Sequence, residues 1–276
     1  MFIGLIVDIL FEKEGLIMEN FKLEILEASV QAIAEAAGKM LADRHGWIRE
    51  DAEIVDRKQF TTKSDLLSHG LIARKLQNLT PNIMVYSEED NVDLAKTNDW
   101  LWVIDPLDGT INFFHELCEW GVSIALVHNQ KTELGTVFIP QDWFMFSARA
   151  NSPVIKPIRA ELYKNTDLAL AQIWTDHIKG PADPVIEIFG KLTRHTLCPQ
   201  VRLCCTASMM AVAMGKIAGY VHPAPKPEDF AAAALIVEKA GGRVTDLQGN
   251  DWNLFSKSIV ATNGLLHDEL LNVLNS

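Results

Sequence analysis

The sequence predicts a mixed α/β fold, of the α+β kind, in which an antiparallel half is followed by an α/β half. Short apolar or alternating segments follow one another over residues 121–148, separated by turn residues, as is typical of antiparallel strands. After residue 167, strand-like and helix-like segments alternate, as is typical of an α/β layer with crossover connections. Two prolines and several polar residues over Asn151–Arg159 mark the change. We therefore expect an N-terminal lobe over residues 18–158 and a C-terminal lobe over residues 159–276.

Composition limits the classes of partner. With 276 residues, 48% of them hydrophobic, the chain can bury a large core. Its 25 basic and 36 acidic residues give a net charge of −11, which argues against nucleic acid or an anionic membrane as the main partner. The four cysteines show no CxxC spacing. A reduced, cytoplasmic protein is therefore the expectation.

The first 17 residues precede the first predicted helix. Their apolar run is interrupted by Asp8, is too short to span a bilayer, and lacks the basic start and cleavage site of a signal peptide. Two interpretations stay open. The segment is an extra strand or disordered tail, or it is a non-native leader: Lys13-Glu14-Gly15 can be encoded by a purine-rich ribosome-binding sequence just before Met18.

Two helices and one strand are predicted next. Apolar residues fall near helical spacing from Glu19 to about His45, which predicts a long amphipathic helix. A second helix is expected to run to Leu79, with Ser64 or Asp65 as its N-terminal cap. The apolar run Ile83–Tyr86 predicts a strand that ends at three consecutive acids, Glu88, Glu89 and Asp90. Such a run is normally a solvated face, unless a second acidic strand edge lies beside it.

The most informative segment is Trp102–His115, with the sequence WVIDPLDGTINFFH. Three apolar residues are typical of the end of a buried strand, and Pro106 fixes φ directly after Asp105, so the chain is expected to leave the sheet there. The loop can then turn Asp105, Asp108 and a backbone carbonyl towards one point. All-oxygen surroundings of this kind suit a hard cation.

Gly109 and Thr110 are expected to open a helix directly after this acidic turn. The free N–H groups of a first helical turn favour an anion, so a cation and a phosphate would be neighbours. An ordinary Asx turn with a helix cap at Thr110 is the alternative. That alternative explains each residue singly but not two carboxylates, proline, glycine and threonine together.

The following segments predict a sheet. Residues 121–127 and 133–139 are expected to form strands joined by a hairpin turn at residues 128–131, and residues 144–148 a third strand. Trp143, Phe144 and Phe146 are interpreted as core residues. In the second half we expect strands at residues 167–174, 201–204 and 220–221, and helices at residues 182–191 and 207–217.

A final informative helix is expected to begin at Glu228-Asp229, after three prolines, and to end at Gly241-Gly242. Asp229 then stands in the first turn. There the helix dipole favours a carboxylate, and its side chain is free to face a cation beyond the helix end.

Two segments, DPLDGTINFFH and DFAAAALIVEKAGG, resemble the two signatures of the inositol monophosphatase family. The resemblance covers the chain from about Met18 to its C-terminus. It implies a layered α/β/α/β/α sandwich of the sugar phosphatase type, in agreement with the two halves described above. It also implies a magnesium-dependent, lithium-sensitive phosphomonoesterase with two or three Mg²⁺ per active site, a small phosphate ester as partner, and a homodimer.

The resemblance further implies individual roles. One Mg²⁺ is bound by Glu88, Asp105 and the Leu107 carbonyl, with Glu89 behind them or exposed. A second is bound by Asp105, Asp108 and Asp229. Asp65 and Thr110 orient the attacking water, and no covalent phosphoenzyme forms. Substrate contacts fall on Asp108, Gly109, Thr110, Ala207, His222 and Asp229.

Three positions depart from the family pattern. Glu228 replaces the usual aromatic residue before the aspartate, His222 stands where inositol-preferring members carry glutamate, and Cys118 stands where proline often follows the first signature. Glu228 is a solvent-facing charge, a salt-bridge partner of Lys226, or a residue that alters substrate shape. Inositol 1-phosphate is the expected substrate. Fructose 1,6-bisphosphate and 3′-phosphoadenosine 5′-phosphate stay open, as does a catalytically silent binding protein.

Overall fold

The computed structural model describes residues 16–46, 52–56, 59–88, 100–152, 166–176 and 183–276. Its helices are α1 (Leu16–Arg44), α2 (Lys63–Leu79), α3 (Thr110–Phe114), α4 (Asp183–His195), α5 (Cys205–Ala213), α6 (Pro227–Lys239) and α7 (His267–Asn275). Its strands are β1 (Ala52–Asp56), β2 (Gln59–Thr62), β3 (Met84–Ser87), β4 (Leu101–Asp108), β5 (Gly121–His128), β6 (Lys131–Ile139), β7 (Phe144–Arg149), β8 (Ile173–Thr175), β9 (Gln200–Val201), β10 (Gly219–His222), β11 (Arg243–Thr245) and β12 (Ile259–Thr262). None of the described helices is both long and apolar enough to cross a bilayer.

Some predictions fall outside these residues. They concern the leader or tail, of which only Leu16 and Ile17 are described, the side chains of Glu89 and Asp90, and most of the lobe boundary near Asn151–Arg159. The lobe division itself stays a proposal.

The first sheet has the strand order β3-β4-β5-β6-β7. The expectation of a purely antiparallel sheet is wrong at one edge, because β3 runs parallel to β4 while the other neighbours are antiparallel. Parallel neighbours end at the same edge of a sheet. Since Ser87 pairs with Ile104, the chain leaves β3 beside the acidic end of β4.

The second sheet has the order β11-β12-β10-β8-β9, with β8 parallel to both of its neighbours. The predicted strand over residues 167–174 is shorter than expected. The Asp167 carboxylate accepts the Ala169 N–H and turns Leu168–Leu170 into a 3-10 helix. The predicted strand over residues 201–204 is also wrong beyond Val201, because Leu203 has a φ of 58°, which extended pairing does not tolerate.

Three buried apolar clusters define five layers. α1 and α2 cover one face of the first sheet, where Trp102 and Ile104 point towards them. α5 and α6 lie between the two sheets, and Leu101 and Val103 face this central layer. α4 and α7 cover the far face of the second sheet. The alternation along β4 supplies both faces of one strand with buried side chains, so the predicted α/β/α/β/α sandwich is confirmed.

Helix α6 lies close to the first sheet because its facing residues are small. Residues 231–234 are four consecutive buried alanines, and a Cβ at Gly135 on β6 would lie 2.6 Å from the Ala232 carbonyl. This close approach places the first turn of α6 beside the ends of β3 and β4.

Two of the three aromatic residues that were expected in the core are exposed. Trp143 and Phe144 are 55% and 42% exposed at the hairpin that leads into β7, the edge strand of the first sheet. The Lys216 ammonium lies 5.4 Å from the centre of the Phe144 ring.

Candidate active site

A bulge in β4 separates Asp105 from Asp108. Asp105 pairs with Ser123 and Asp108 with Gly121, so β4 carries one more residue than its partner over this interval. The expected exit of the chain at Pro106 is therefore wrong: the strand bulges there and resumes pairing at Asp108. Within the bulge the Leu107 N–H donates to Asp105 Oδ1 at 3.0 Å. Asp105 and Asp108 are thereby both held near the C-terminal end of β4.

Asp108 is bound to the start of a distant helix. Its Oδ2 accepts hydrogen bonds from the Thr206 N–H and the Thr206 hydroxyl, each at 2.6 Å, and the Cys204 thiol lies 3.3 Å away. Cys204, the N-cap residue of α5, makes no side-chain cap of its own. The Asp108 carboxylate therefore performs the capping function for α5, at the end where the helix dipole favours a negative charge.

Asp65 belongs to a capping box rather than being the cap itself. The N-cap of α2 is Thr62, not Ser64 or Asp65 as predicted, and the Thr62 N–H donates to Asp65 Oδ2 at 2.8 Å. The other oxygen, Oδ1, lies 3.0 Å from the Thr110 hydroxyl, which also lies 3.0 Å from the Leu107 carbonyl oxygen. Burial raises the pKa of Asp65 to about 6, although its hydrogen bonds with the two threonines oppose the rise. Asp65 and Thr110 are thus joined directly at the end of β4.

The first turn of α6 brings two more carboxylates to this edge. The helix begins at Pro227 and not at Glu228 as expected, since proline is well suited to a first helical position. Asp229 Oδ2 accepts the Lys226 N–H at 2.7 Å. Glu228 is 1% exposed, so the solvent-facing interpretation is wrong, and its Oε1 lies 3.6 Å from the Lys226 ammonium.

Glu88 follows β3 at the same edge. Its Oε2 accepts a hydrogen bond from the Lys226 ammonium at 3.1 Å. Lys226 therefore contacts three acidic residues of the site: Asp229 through its backbone N–H, and Glu88 and Glu228 through its side chain.

The carboxylates influence one another strongly. Burial, followed by the negative charges of Glu88, Asp108 and Asp229, raises the pKa of Asp105 well above its usual range. Burial is also the main cause of the raised pKa of Asp108 and of Asp229. A set of mutually repelling carboxylates is stabilised by a hard cation, so the chemistry of this donor set fits Mg²⁺.

Carboxylates of this site accept hydrogen bonds from groups of the protein itself. In the part of the chain that the structure describes, no three His, Cys, Asp or Glu side chains converge closely enough to bind a metal ion as they stand. The physical reason is visible for three of them: Asp108 is turned to Thr206, Asp229 to the Lys226 N–H, and Glu88 to the Lys226 ammonium. Metal binding would require some of these hydrogen bonds to be exchanged.

Three further predicted residues have the following positions in the fold. Gly109 is the N-cap of α3 with a φ of 85°, and a Cβ there would lie 2.7 Å from the Glu119 carbonyl oxygen, so only glycine fits. Ala207 is the third residue of α5 and packs against the central apolar cluster. His222 ends β10, where burial lowers its pKa to about 3, and its Nδ1 accepts the Ala224 N–H at 3.2 Å.

Sequence reasoning missed Thr206 and Cys204 and gave Lys226 only a pairing role. The predicted helix start at Ala207 lay two residues too late, which left Thr206 in a loop. A threonine just before a predicted helix was an available capping signal. Its partner Asp108 lies 98 residues away in sequence, and no local pattern identifies such a contact.

Known proteins resemble this chain over most of its length. The model of the inositol monophosphatase family matches residues 22–276. The fructose-1,6-bisphosphatase/inositol-1-monophosphatase of Thermotoga maritima is 29% identical over 256 residues, which are 92% of this chain and 96% of that protein. The Nus factor SuhB of Escherichia coli K12 is 31% identical over 250 residues, 87% of this chain and 91% of that protein. The structure of the Thermotoga maritima IMPase superposes with a TM-score of 0.81 at 28% identity, over 91% of this chain and 97% of that one. The chain belongs to the inositol monophosphatase family.

Proposed function

We propose that this chain hydrolyses a small phosphate monoester in a Mg²⁺-dependent reaction, with inositol 1-phosphate as the preferred substrate. The observation that carries the proposal is the position of the Thr110 hydroxyl oxygen. It lies 3.0 Å from Asp65 Oδ1 and 3.0 Å from the Leu107 carbonyl oxygen, in the loop that also carries Asp105 and Asp108. A proton acceptor is thus joined through one hydroxyl to the loop whose oxygens are proposed to bind metal.

The residues proposed to bind the metal ions are all oxygen donors. One ion would be held by Glu88, Asp105 and the Leu107 carbonyl, and a second by Asp105, Asp108 and Asp229. When bound, Mg²⁺ supplies Lewis-acid stabilisation of developing charge and lowers the pKa of a nearby water. The proposal is supported by the mutual repulsion of these buried carboxylates, which raises the pKa of Asp105 after the larger effect of burial.

Asp65 and Thr110 have the geometry to move one proton. While the Thr110 hydroxyl donates to Asp65 Oδ1, its oxygen keeps a lone pair that can accept a proton from water. The proton on Thr110 Oγ1 would then pass to Asp65 Oδ1. The Thr62 N–H stays on Asp65 Oδ2 and holds the carboxylate in place. No covalent intermediate with the protein is required.

Substrate recognition is assigned to the groups around this pair. The first N–H groups of α3, at Gly109 and Thr110, would contact phosphate oxygens. His222 is neutral at physiological pH, since burial lowers its pKa to about 3. Because Nδ1 accepts the Ala224 N–H, we infer that the imidazole proton is on Nε2, from which it can donate to a substrate hydroxyl. Ala207 and Asp229 would border the leaving group.

The decisive experiment is phosphate release from a panel of esters, each with Mg²⁺ and with chelator. The panel contains inositol 1-phosphate, fructose 1,6-bisphosphate and 3′-phosphoadenosine 5′-phosphate. The second ester is included because the Thermotoga maritima relative carries both activities in its name. Faster turnover of inositol 1-phosphate supports the proposal, and preference for another ester replaces the substrate while keeping the reaction.

Two variants test the assignment of the site. Asp108→Asn should abolish turnover while the circular dichroism spectrum stays native, and Asp142→Asn, at an exposed carboxylate between β6 and β7, should be fully active. Full activity of Asp108→Asn would contradict the proposed role of Asp108.

A second candidate function is a catalytically silent binding protein. It is favoured by one observation, the 31% identity to the protein named Nus factor SuhB. Mg²⁺-dependent turnover of any ester by wild type, lost in Asp108→Asn, would exclude a silent protein. A folded wild type that releases no phosphate would support it.

A further inference from the structure

The Lys226 ammonium lies between two carboxylates whose situations differ. It is 3.1 Å from Glu88 Oε2, within hydrogen-bond distance, and 3.6 Å from Glu228 Oε1, beyond it. The Glu88 side chain is 21% exposed, whereas that of Glu228 is fully buried. Lys226 is therefore hydrogen-bonded to the carboxylate that keeps access to water, and merely close to the one that has none.

Glu228 pairs with Lys226 at 3.6 Å but lacks the hydrogen bond that such a carboxylate needs. Neither of its oxygens accepts a hydrogen bond from any described residue. The Tyr86 hydroxyl faces it without a hydrogen bond of ordinary geometry. A buried carboxylate without a hydrogen bond is rare and costly, because burial removes its hydration without replacement. The Lys226 ammonium lies 3.6 Å from Glu228 Oε1, and a displacement of less than about 1 Å would bring it into hydrogen-bond distance.

We propose that Lys226 is a positioning residue that exchanges between Glu88 and Glu228 when a divalent cation binds. In the structure the Lys226 ammonium donates a hydrogen bond to Glu88 Oε2. When metal takes Glu88, Lys226 moves to Glu228. This inference rests on the proposed function, in which Glu88 is a metal ligand.

The exchange avoids an unfavourable contact between the Lys226 ammonium and a bound metal ion. An ammonium displaced from Glu88 by a metal ion would lie beside a second cation and be repelled by it. Glu228 offers the displaced ammonium a carboxylate that is already close and accepts no hydrogen bond. The Lys226 N–H on Asp229 Oδ2 holds the backbone in place, so that only the side chain needs to move.

Two simpler roles of Glu228 in metal binding predict a different outcome. Glu228 could bind the metal directly, or it could favour metal binding by its charge alone. In both cases the effect of Glu228 on Mg²⁺ affinity is the same with and without the Lys226 ammonium. Under the exchange, Glu228 favours metal binding only while Lys226 is present.

A double-mutant cycle on Mg²⁺ affinity tests this difference. Isothermal titration calorimetry with MgCl₂ is carried out on wild type, Glu228→Gln, Lys226→Met and the double variant, and native folding of each is checked by circular dichroism. Lys226→Gln serves as the second variant if Lys226→Met does not fold. Lys257→Met, at an exposed lysine, controls for the change in net charge. Calorimetry measures binding and does not depend on turnover.

We expect Glu228→Gln to weaken Mg²⁺ binding by about tenfold with Lys226 present, and by less than about threefold in Lys226→Met, a coupling within the usual range for contacting residues. Lys226→Met alone should tighten binding, because the competing cation is gone. An equal loss in both backgrounds, or no loss in either, overturns the exchange while leaving the proposed function intact. A wild type that binds no Mg²⁺ overturns both.

Discussion

Thr206 donates two hydrogen bonds to a single oxygen of Asp108, one from its backbone N–H and one from its hydroxyl, each at 2.6 Å. Both residues are buried. The pair joins the end of β4 to the first turn of α5, and hence the first sheet to the central helical layer. Hydrogen bonds to an ionised acceptor are among the stronger ones in proteins, so this pair fixes the direction in which Asp108 faces.

Thr206→Val should lower both stability and turnover. Valine keeps the shape of threonine and the backbone N–H, but removes one donor from a buried carboxylate, which costs about 1.5–3 kcal/mol in unfolding free energy. Groups that orient a metal ligand typically change affinity or activity by about 10- to 100-fold when removed. Urea unfolding and Mg²⁺-dependent phosphate release measure the two effects. Thr206→Ser, which keeps the hydroxyl, should stay near wild type; equal losses in both variants would show that the methyl group matters instead.

The local part of the site could be predicted from the sequence. Asp105 and Asp108 come after an apolar run and flank Pro106-Leu107, and Asp229 falls in the first turn of a helix, so each position depends on neighbouring residues alone. The five-layer order was predicted from the family resemblance, since strand and helix patterns do not specify which layers meet.

What could not be predicted depends on contacts between distant residues. The bulge at Pro106 follows from pairing with β5, and the cap of α5 comes from Asp108 rather than from its own sequence. Glu228 was left undecided for the same reason. Its burial results from the close packing of α6 on the first sheet, which no neighbouring residue reveals.

Mg²⁺ should stabilise the protein more as pH rises. Burial and neighbouring negative charges raise the pKa of Asp105 in the folded state, so the metal-free fold keeps protons that the unfolded chain has lost, and its stability falls with rising pH. Metal binding requires the deprotonated carboxylates. Above the ordinary pKa of an aspartate, about 4, the difference in melting temperature with and without Mg²⁺ should therefore grow as pH rises. In Asp108→Asn the difference in melting temperature should increase less with pH. A difference that does not depend on pH in wild type would contradict the reasoning.

His222 should make the protein sensitive to acid. Burial lowers its folded pKa to about 3, whereas an unfolded histidine takes up a proton near pH 6.5, so stability is lost as pH falls between these values. Relative to His222→Gln, wild type should lose up to about 1.4 kcal/mol of unfolding free energy per pH unit in this window. Urea titrations at a series of pH values measure the difference. His195→Gln, at an exposed histidine, is the control, and parallel curves for wild type and His222→Gln would refute the prediction.

Gly109→Ala and Gly70→Ala should change stability in opposite directions. At Gly109 φ is 85°, and an added Cβ would lie 2.7 Å from the Glu119 carbonyl oxygen. The left-handed conformation alone costs a residue other than glycine about 1–2 kcal/mol, and the clash adds to it by displacing the loop that carries Asp108 and Thr110. Gly70 lies in the middle of α2 with nothing within 4 Å of the added Cβ, so alanine there should stabilise the helix by about 0.5–1 kcal/mol.

Urea unfolding and phosphate release, each measured on Gly109→Ala and on Gly70→Ala, check both expectations. Because Gly109 precedes Thr110, the loss of turnover in Gly109→Ala should persist well below the urea concentration at which the variant unfolds. Gly70→Ala should keep wild-type turnover. If Gly109→Ala were as stable and as active as Gly70→Ala, the tight turn after β4 would not be what positions the Thr110 hydroxyl.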